Sequence, residues 1–263
     1  MILHTLSSGS QGNCLLLSDG DTHLLMDAGI STRRIRTGLQ QLGLSMDALS
    51  GVLITHEHGD HIAGLATFIK HYDIPLYTSP GTARQLSYRL AGVEPLLRLQ
   101  APGSSFPVGG CRVTSFATSH DAAQSMGFRV DGSGSVGILT DTGYVTEEAA
   151  AVLPGVDTLL LESNHDVDLL RAGSYPYHLK QRILGAQGHL SNDAAAEFAA
   201  KMAACGTRRI LLAHLSRENN TPQRAWDTVN RALYLAGAAV ELEVVPRSEL
   251  SRGYEVEADV CRK

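Results

Sequence analysis

Cysteine is scarce and scattered. Cys14, Cys111, Cys205 and Cys261 are the only four, and no two form a C-x-x-C pair. This spacing argues against a disulfide framework or a cysteine-built zinc site, so the four are expected to be buried thiols in a reducing, cytoplasmic setting. Long apolar runs are missing too: none approaches the roughly 18 residues that a membrane span requires. Residues 1–6, Met-Ile-Leu-His-Thr-Leu, carry no basic region ahead of an apolar segment, so no signal peptide is expected. No Pro- or Ser-rich linker, charge block, short repeat or low-complexity stretch interrupts the chain. Its 263 residues, 43% hydrophobic, suffice for one domain spanning 1–263. Excess positive charge is lacking as well. A net charge of −5 excludes a protein that coats nucleic acid through a broad basic face. A polyanionic substrate would have to be held locally, by metal ions and a few arginines. Arg33, Arg34 and Arg36 are one such cluster, or else a solvated helix face.

What the chain has instead is a dense group of metal-capable side chains. Residues 52–64 read Val-Leu-Ile-Thr-His-Glu-His-Gly-Asp-His-Ile-Ala-Gly, which puts His56, His58, Asp60 and His61 within six positions. The apolar start reads as a buried strand. Residues 62–72 read as a helix packed through Ile62, Leu65, Ala66 and Ile69. In extended chain, positions i and i+2 point the same way, so His56 and His58 can converge on one ion. Gly59 allows a turn that sends Asp60 and His61 along another vector. One ion does not easily take all four, so the spacing points to two neighbouring ions.

The rest of the chain alternates strands and helices. Strands are expected at 13–17 and 23–26, joined by the turn Ser18-Asp19-Gly20-Asp21. Ser31 caps a helix to about residue 42, with Gly43 past its end. Residues 75–78 and 81–91 read as a strand and a helix. The stretch 96–140 is β-rich, with runs at 112–117, 127–130 and 136–139, the last two linked by Gly132-Ser133-Gly134-Ser135. Thr146 caps a short helix at 147–153, and 158–161 is a strand. Ser191 caps a helix at 192–205 stopped by Gly206, and 209–213 is a strand. Thr221-Pro222 opens a further helix, and 240–245 is a late strand. Two packed sheets with helices outside account for this pattern better than one doubly wound sheet.

Three later residues follow apolar strands just as His56 does: His120, Asp141 and His214. Histidine nitrogens suit borderline ions, and a carboxylate can bridge two. His56, His58 and His120 are therefore assigned to one metal and Asp60, His61 and His214 to the other, with Asp141 bridging. Two ions about 3.5–4 Å apart would share a water and lower its pKa towards about 7. This donor set accepts zinc, manganese or iron. Asp27, also at a strand end, either orients a ligand histidine or is a plain turn residue.

The motifs around Asp27, 56–61, His120, Asp141 and His214, in that order across residues 1–214, resemble those of the metallo-β-lactamase superfamily. The resemblance implies an α/β fold, a four-layer αββα sandwich with a dinuclear site at one edge. Class B β-lactamases commonly carry Cys where Asp141 stands, whereas glyoxalase II shares all seven ligands, so fold and ligands leave the substrate open. Glu162, in Leu-Leu-Leu-Glu-Ser-Asn-His-Asp, and His189, in Gly-His-Leu-Ser-Asn-Asp, are similar to elements of the tRNA 3′-processing endonuclease RNase Z, which form a Glu–His dyad near the scissile phosphate. By that likeness His189 would protonate the leaving oxygen while Glu162 fixes its tautomer; otherwise His189 caps the following helix beside Ser191.

Closer still, the segments 7–13, 162–166, Tyr175-Pro176-Tyr177, 188–192 and His214-Leu215-Ser216 resemble the YycJ/WalJ branch of the superfamily across most of the chain. This likeness implies a cytoplasmic 5′→3′ exonuclease acting on DNA ends and linked to DNA mismatch repair, with Asp60, Glu162 and His189 catalytic. RNase Z's long tRNA-binding arm and the inserted domain of RNase J-type enzymes have no counterpart here. Ser8, Gly9, Ser10, His165, Ser216 and Arg217 are the candidate substrate contacts; the first three otherwise form a β-turn, and His165 otherwise sits on an exposed loop. Tyr175 and Tyr177 either stack on a terminal base or pack their loop onto the body. The acidic balance departs from a nuclease profile. The alternative is a small-molecule hydrolase of the same fold, acting on a cyclic phosphodiester or, like glyoxalase II, a thioester.

Overall fold

The computed structural model describes residues 1–256. Each half of the chain builds one seven-stranded sheet. The first contains β1 (Ile2–Ser7), β2 (Cys14–Asp19), β3 (Thr22–Met26), β4 (Gly51–Leu53), β5 (Leu76–Thr78) and β6 (Leu97–Leu99) in sequence order. The second contains β7 (Ser105–Val108), β8 (Cys111–Ala117), β9 (Met126–Asp131), β10 (Ser135–Leu139), β11 (Thr158–Glu162), β12 (Arg209–Ala213) and β13 (Glu241–Val244). A short β14 (Tyr254–Glu255) returns to pair with β1. Each sheet begins as an antiparallel meander and ends as a parallel run, β3 to β6 and β10 to β13.

Parallel strands require crossovers, and helices supply them. They are α1 (Thr32–Gln41), α2 (Gly59–Ile62), α3 (Leu65–Phe68), α4 (Pro80–Arg89), α5 (Glu147–Val152), α6 (Val167–Ala172), α7 (Tyr177–Leu184), α8 (Asn192–Ala204) and α9 (Pro222–Leu235). Ser31, Ser79, Thr146, Asp166, Ser191 and Thr221 each accept a first-turn N–H, a contribution of about 1 kcal/mol apiece.

The leucine runs now make sense. Leu15, Leu17, Leu24 and Met26 face Phe128, Val130, Ile138, Leu160 and Leu211 of the other sheet. Their neighbours Leu16 and Leu25 turn outward onto Ile35 and Leu39 of α1. Leu159, Leu161, Ile210 and Leu212 turn outward onto α8 and α9. Strands buried on both faces read as continuous apolar runs rather than alternating ones. The layers are helix, sheet, sheet, helix, as expected. Among the described residues no helix is long and apolar enough to cross a membrane.

Three expectations are corrected. The helix expected over 62–72 starts earlier and is broken: α2 begins at Gly59, and α3 follows only after Gly64. Gly64 donates its N–H to Ala28 O at 2.8 Å, and a Cβ there would lie 2.2 Å from Ile30 O. The chain must press against residues 28–30, and a continuous helix does not. Cys14 and Cys111 are buried, but Cys205 is exposed because it caps the solvent-facing end of α8; Cys261 lies outside the described residues. Between Glu162 and His189 two further helices, α6 and α7, stand where no helix is expected from the sequence.

Candidate metal centre

The functional side chains gather where strands end. Asp27 follows β3, His56 to His61 follow β4, Asp141 follows β10, Glu162 ends β11 and His214 follows β12. These are the C-terminal ends of parallel strands, while His120 follows antiparallel β8. Asp27, Asp141 and His214 leave their strands with φ of 57°, 55° and 56°. Left-handed backbone costs a non-glycine residue about 1–2 kcal/mol and concentrates at functional sites. Here it swings each side chain off its sheet toward one shared edge.

Two triads result, His56 with His58 and His120, and Asp60 with His61 and His214; within each, the candidate donor atoms lie within 4.8 Å of one another. His58 Nδ1 and His120 Nε2 are 3.2 Å apart. Asp60 Oδ2 lies 3.6 Å from His61 Nε2 and 3.7 Å from His214 Nε2. Asp141 stands between the triads. Its Oδ2 is 3.3 Å from His61 Nε2, and its Oδ1 is 3.5 Å from His214 Nε2 and 3.9 Å from His120 Nε2. Two further groups overlap these triads, His56 with His61 and Asp141, and Asp141 with Glu162, His189 and His214, so Asp141 is common to both sides of the cluster.

The remaining ring nitrogens are held from behind. Asp27 Oδ2 contacts His61 Nδ1 at 2.7 Å while its two oxygens take the Thr55 amide and hydroxyl, each at 2.9 Å. The Thr55 hydroxyl is also 2.9 Å from His56 Nδ1. Glu162 is wholly buried. Its Oε1 contacts both His189 Nδ1 and His214 Nδ1 at 2.8 Å, and its Oε2 accepts the amides of Thr142 and Leu190 at 3.1 Å. Such partners set the tautomer and aim of a metal-binding imidazole.

Electrostatics divide the cluster. Burial disfavours charge on His61, but Asp141, Asp27 and Asp60 outweigh it and push its pKa up to about 9. Burial likewise opposes charge on His214, and Asp141, Asp60 and Glu162 hold it well above the ordinary value. His56 goes well below, through burial and the imidazoles around it. Burial would raise Glu162, yet His189 and His214 keep its carboxyl far below the usual range. His189 is raised: burial opposes its charge, and Glu162 and Asp141 prevail.

The donor set fits divalent cations. His56 Nε2, His214 Nε2 and Asp141 Oδ2 are buried without a hydrogen-bond partner. Leaving such atoms unpaired costs about 1–3 kcal/mol each, a penalty that cations held by the two triads would remove. Protons and a cation compete for these nitrogens.

A cleft of about 260 Å³ opens over the cluster. Of the expected substrate contacts, Ser10 and Ser216 line it. Ser8 is buried, and its hydroxyl accepts the His214 amide at 3.0 Å, so it braces the backbone of a candidate ligand. Gly9 donates its amide to Asn13. His165 is buried rather than exposed on a loop, and Arg217 is exposed and outside the cleft wall. His189 lines the cleft, and Ser191 alone supplies the side-chain cap of α8.

Several residues at the site escape sequence reasoning. Asn13 Nδ2 lies 3.0 Å from His61 Nε2 and 3.4 Å from Asp60 Oδ2. Glu57 points away from its histidine neighbours and accepts the Ala123 amide at 2.8 Å, fixing the loop that carries His120. Asn164, Tyr175, Leu179, Arg182 and Ile183 complete the cleft wall. Of these, Tyr175 is a sequence candidate for base stacking, Asn13 and Asn164 lie in the segments 7–13 and 162–166, and Glu57, Arg182 and Ile183 carry no such signal.

Comparison with known proteins shows the family. A family model described as a beta-lactamase superfamily domain matches residues 22–215. The chain is 36% identical over 237 residues to Exodeoxyribonuclease YycJ of Bacillus anthracis, covering 89% of this chain and 90% of that protein. It is 38% identical over 249 residues to Exodeoxyribonuclease WalJ of Streptococcus pneumoniae, covering 92% and 93%. The metallo-beta-lactamase fold protein YhfI from Bacillus subtilis superposes with a TM-score of 0.70 at 19% identity, over 97% of this chain and 100% of that one. At that identity the likeness speaks for the fold alone.

Proposed function

The chain belongs to the metallo-β-lactamase superfamily, on the branch of the YycJ and WalJ exodeoxyribonucleases, and from its strand-end geometry we propose that it is a metal-dependent exonuclease acting on DNA ends. A 5′→3′ direction and a part in DNA mismatch repair are proposed with it, on the likeness of residues 7–13, 162–166 and 188–192 to that branch. The donor triads beside Asp141, with buried donor atoms left without partners, support the metal-dependent part of the reading, and the 36% and 38% identity to the YycJ and WalJ exodeoxyribonucleases supports the DNA substrate.

His56, His58 and His120 would hold one divalent cation and Asp60, His61 and His214 a second, zinc or manganese by donor chemistry, with Asp141 between them. Bound there, the cations would supply Lewis acidity to acidify a water and offset charge developing on a phosphate. The protein's own groups do the rest. Asp27 and Glu162 aim His61 and His214. Glu162 also occupies His189 Nδ1, so Nε2 is the ring nitrogen left for the cleft. With its pKa raised, His189 holds a proton there and delivers it to the leaving oxygen. Ser10, Asn164 and Ser216 offer hydrogen bonds to orient the phosphodiester.

DNA labelled at either end, with 5′ or 3′ recessed termini, tests this. Release of mononucleotides from 5′ ends only, abolished by a chelator and by the His58→Ala, Asp60→Ala double variant, is expected. Turnover of a cyclic phosphodiester or glutathione thioester with DNA left intact would replace this reading with the small-molecule one.

A further inference from the structure

Helix α7 is the anomaly of this fold. Every other helix of its length or longer buries an apolar stripe, yet none of the residues Tyr177–Leu184 is buried. The segment still carries an ordered apolar face. Leu179 and Ile183 stand at i and i+4 of the helix and so share one side; Tyr175 lies just before the Pro176 cap, and all three line the cleft over the donor triads. Tyr177, two positions from Tyr175, is 78% exposed and does not line it. The helix is held at its edges. Arg182 Nε meets Asp121 Oδ2 at 2.5 Å, and Asp121 in turn contacts His58 Nε2 through its carbonyl at 3.2 Å and lies 3.5 Å from His120. At the far end, Ser119 Oγ donates to Ala186 O at 2.8 Å. The apolar face is thus fixed relative to the donor atoms.

We propose that Tyr175, Leu179 and Ile183 form the seat for the unpaired base of the terminal nucleotide being removed. The proposal rests on the nuclease reading. A phosphodiester at the triads projects its sugar and base into the cleft, and this aromatic and aliphatic face is part of the cleft's lining. Stacking suits an enzyme that removes any nucleotide, since every base has a π-face. It also suits a chain of net charge −5, which has little general attraction for polyanions. The cleft of about 260 Å³ falls just below the roughly 300–1,000 Å³ of ordinary ligand pockets, a size suited to a single nucleotide. Leu179 and Ile183 grip the base from the side of the helix while Tyr175 covers its face, and Arg182 stays committed to Asp121.

The test compares single-stranded oligonucleotides whose terminal nucleotide carries a base with ones ending in an abasic tetrahydrofuran, in the metal-loaded enzyme. Stacking on one aromatic side chain corresponds to a factor of about 5–150. Wild type is expected to release base-bearing ends faster by that factor in kcat/KM. Tyr175→Ala should lose this preference, slowing on base-bearing ends and unchanged on abasic ones. Tyr175→Phe should restore it, and Tyr177→Ala should match wild type. Thermal unfolding midpoints close to wild type would show that Tyr175→Ala leaves the fold intact. Equal release of base-bearing and abasic ends by wild type, or equal slowing of both in Tyr175→Ala, overturns the proposal while leaving the nuclease reading in place. No release from these oligonucleotides or from the recessed duplexes overturns both.

Discussion

Glu162→Gln is the most informative single substitution, because one buried carboxylate serves two histidines. Its Oε1 contacts His189 Nδ1 and His214 Nδ1, both at 2.8 Å. The amide keeps the shape but removes the charge, and its NH2 replaces an oxygen that accepts either the two ring nitrogens' protons or the Thr142 and Leu190 amides. Hydrogen bonds to a charged group contribute about 1.5–3 kcal/mol, and a neutral partner retains about half of that. kcat/KM is therefore expected to fall about 10–100-fold, the range seen when partners behind metal-binding histidines are lost. The pH profile separates this account from simple damage. Without the anion the His189 pKa drops, so the limb of the profile on which activity is lost as His189 gives up its proton moves to lower pH. The deficit of the variant should then be larger at pH 8 than at pH 6. Stability gives a second reading. The Glu162 carboxyl is depressed in the folded chain, so its contribution is complete above the unfolded value of about 4.3 and is lost as pH falls through the folded one. The gap in unfolding free energy between wild type and Glu162→Gln should shrink below about pH 4. Because Glu162 acts partly through His189, the double variant with His189→Ala should lose less than the product of the two single losses. Wild-type activity in Glu162→Gln, or a uniform loss with an unmoved profile and multiplicative double-variant effects, would refute the shared role.

Three other outcomes follow from the same structure. Cations that bind only the folded chain stabilise it by about 2.7 kcal/mol at 100 times their Kd, so stripping with a chelator should lower Tm by about 5–10 °C per ion, measured calorimetrically with and without added metal. Burial lowers the His165 pKa to about 4; the unfolded chain takes up that proton first, from about pH 6.5 downward, so stability should decline by about 3 kcal/mol between pH 6.5 and 4. His165→Gln should flatten that decline in denaturant titrations across the window, and an unchanged slope would contradict it. A Cβ at Gly29 would sit 1.7 Å from Asp60 O and 2.6 Å from Asn13 N, so Gly29→Ala should cost about 3 kcal/mol or more and displace Asp60, lowering both Tm and metal content.

Much of the site was legible because metal-capable residues placed after apolar strands need no tertiary information to stand out. His56, His58, Asp60 and His61 are neighbours in sequence, and His120, Asp141 and His214 share their strand-end setting. What stayed hidden depends on pairing across sheets. Glu162 faces Ala213 in the β11–β12 ladder, which puts it beside His214; nothing in a separation of 52 residues announces that contact. Asp121 and Arg182 meet across 61 residues in the same way. The break at Gly64 likewise reflects a long-range approach to residues 28–30, where local periodicity favours one helix. The covering helix α7 was missed because its apolar residues serve the cleft, not the core, and a four-residue spacing of Tyr, Leu and Ile around a proline reads as a loop. The strand-end residues Asp27, Asp141 and His214 adopt left-handed backbone that glycine would signal openly and that aspartate and histidine conceal.

The central claim is that two triads sharing Asp141 hold two cations in one chain. Its most direct test is the metal content per chain, by mass spectrometry of the elements, after loading with zinc or manganese and removing the excess. Two equivalents in wild type, falling to one in His214→Ala, are predicted. Wild type that retains none under metal-replete conditions would contradict the account.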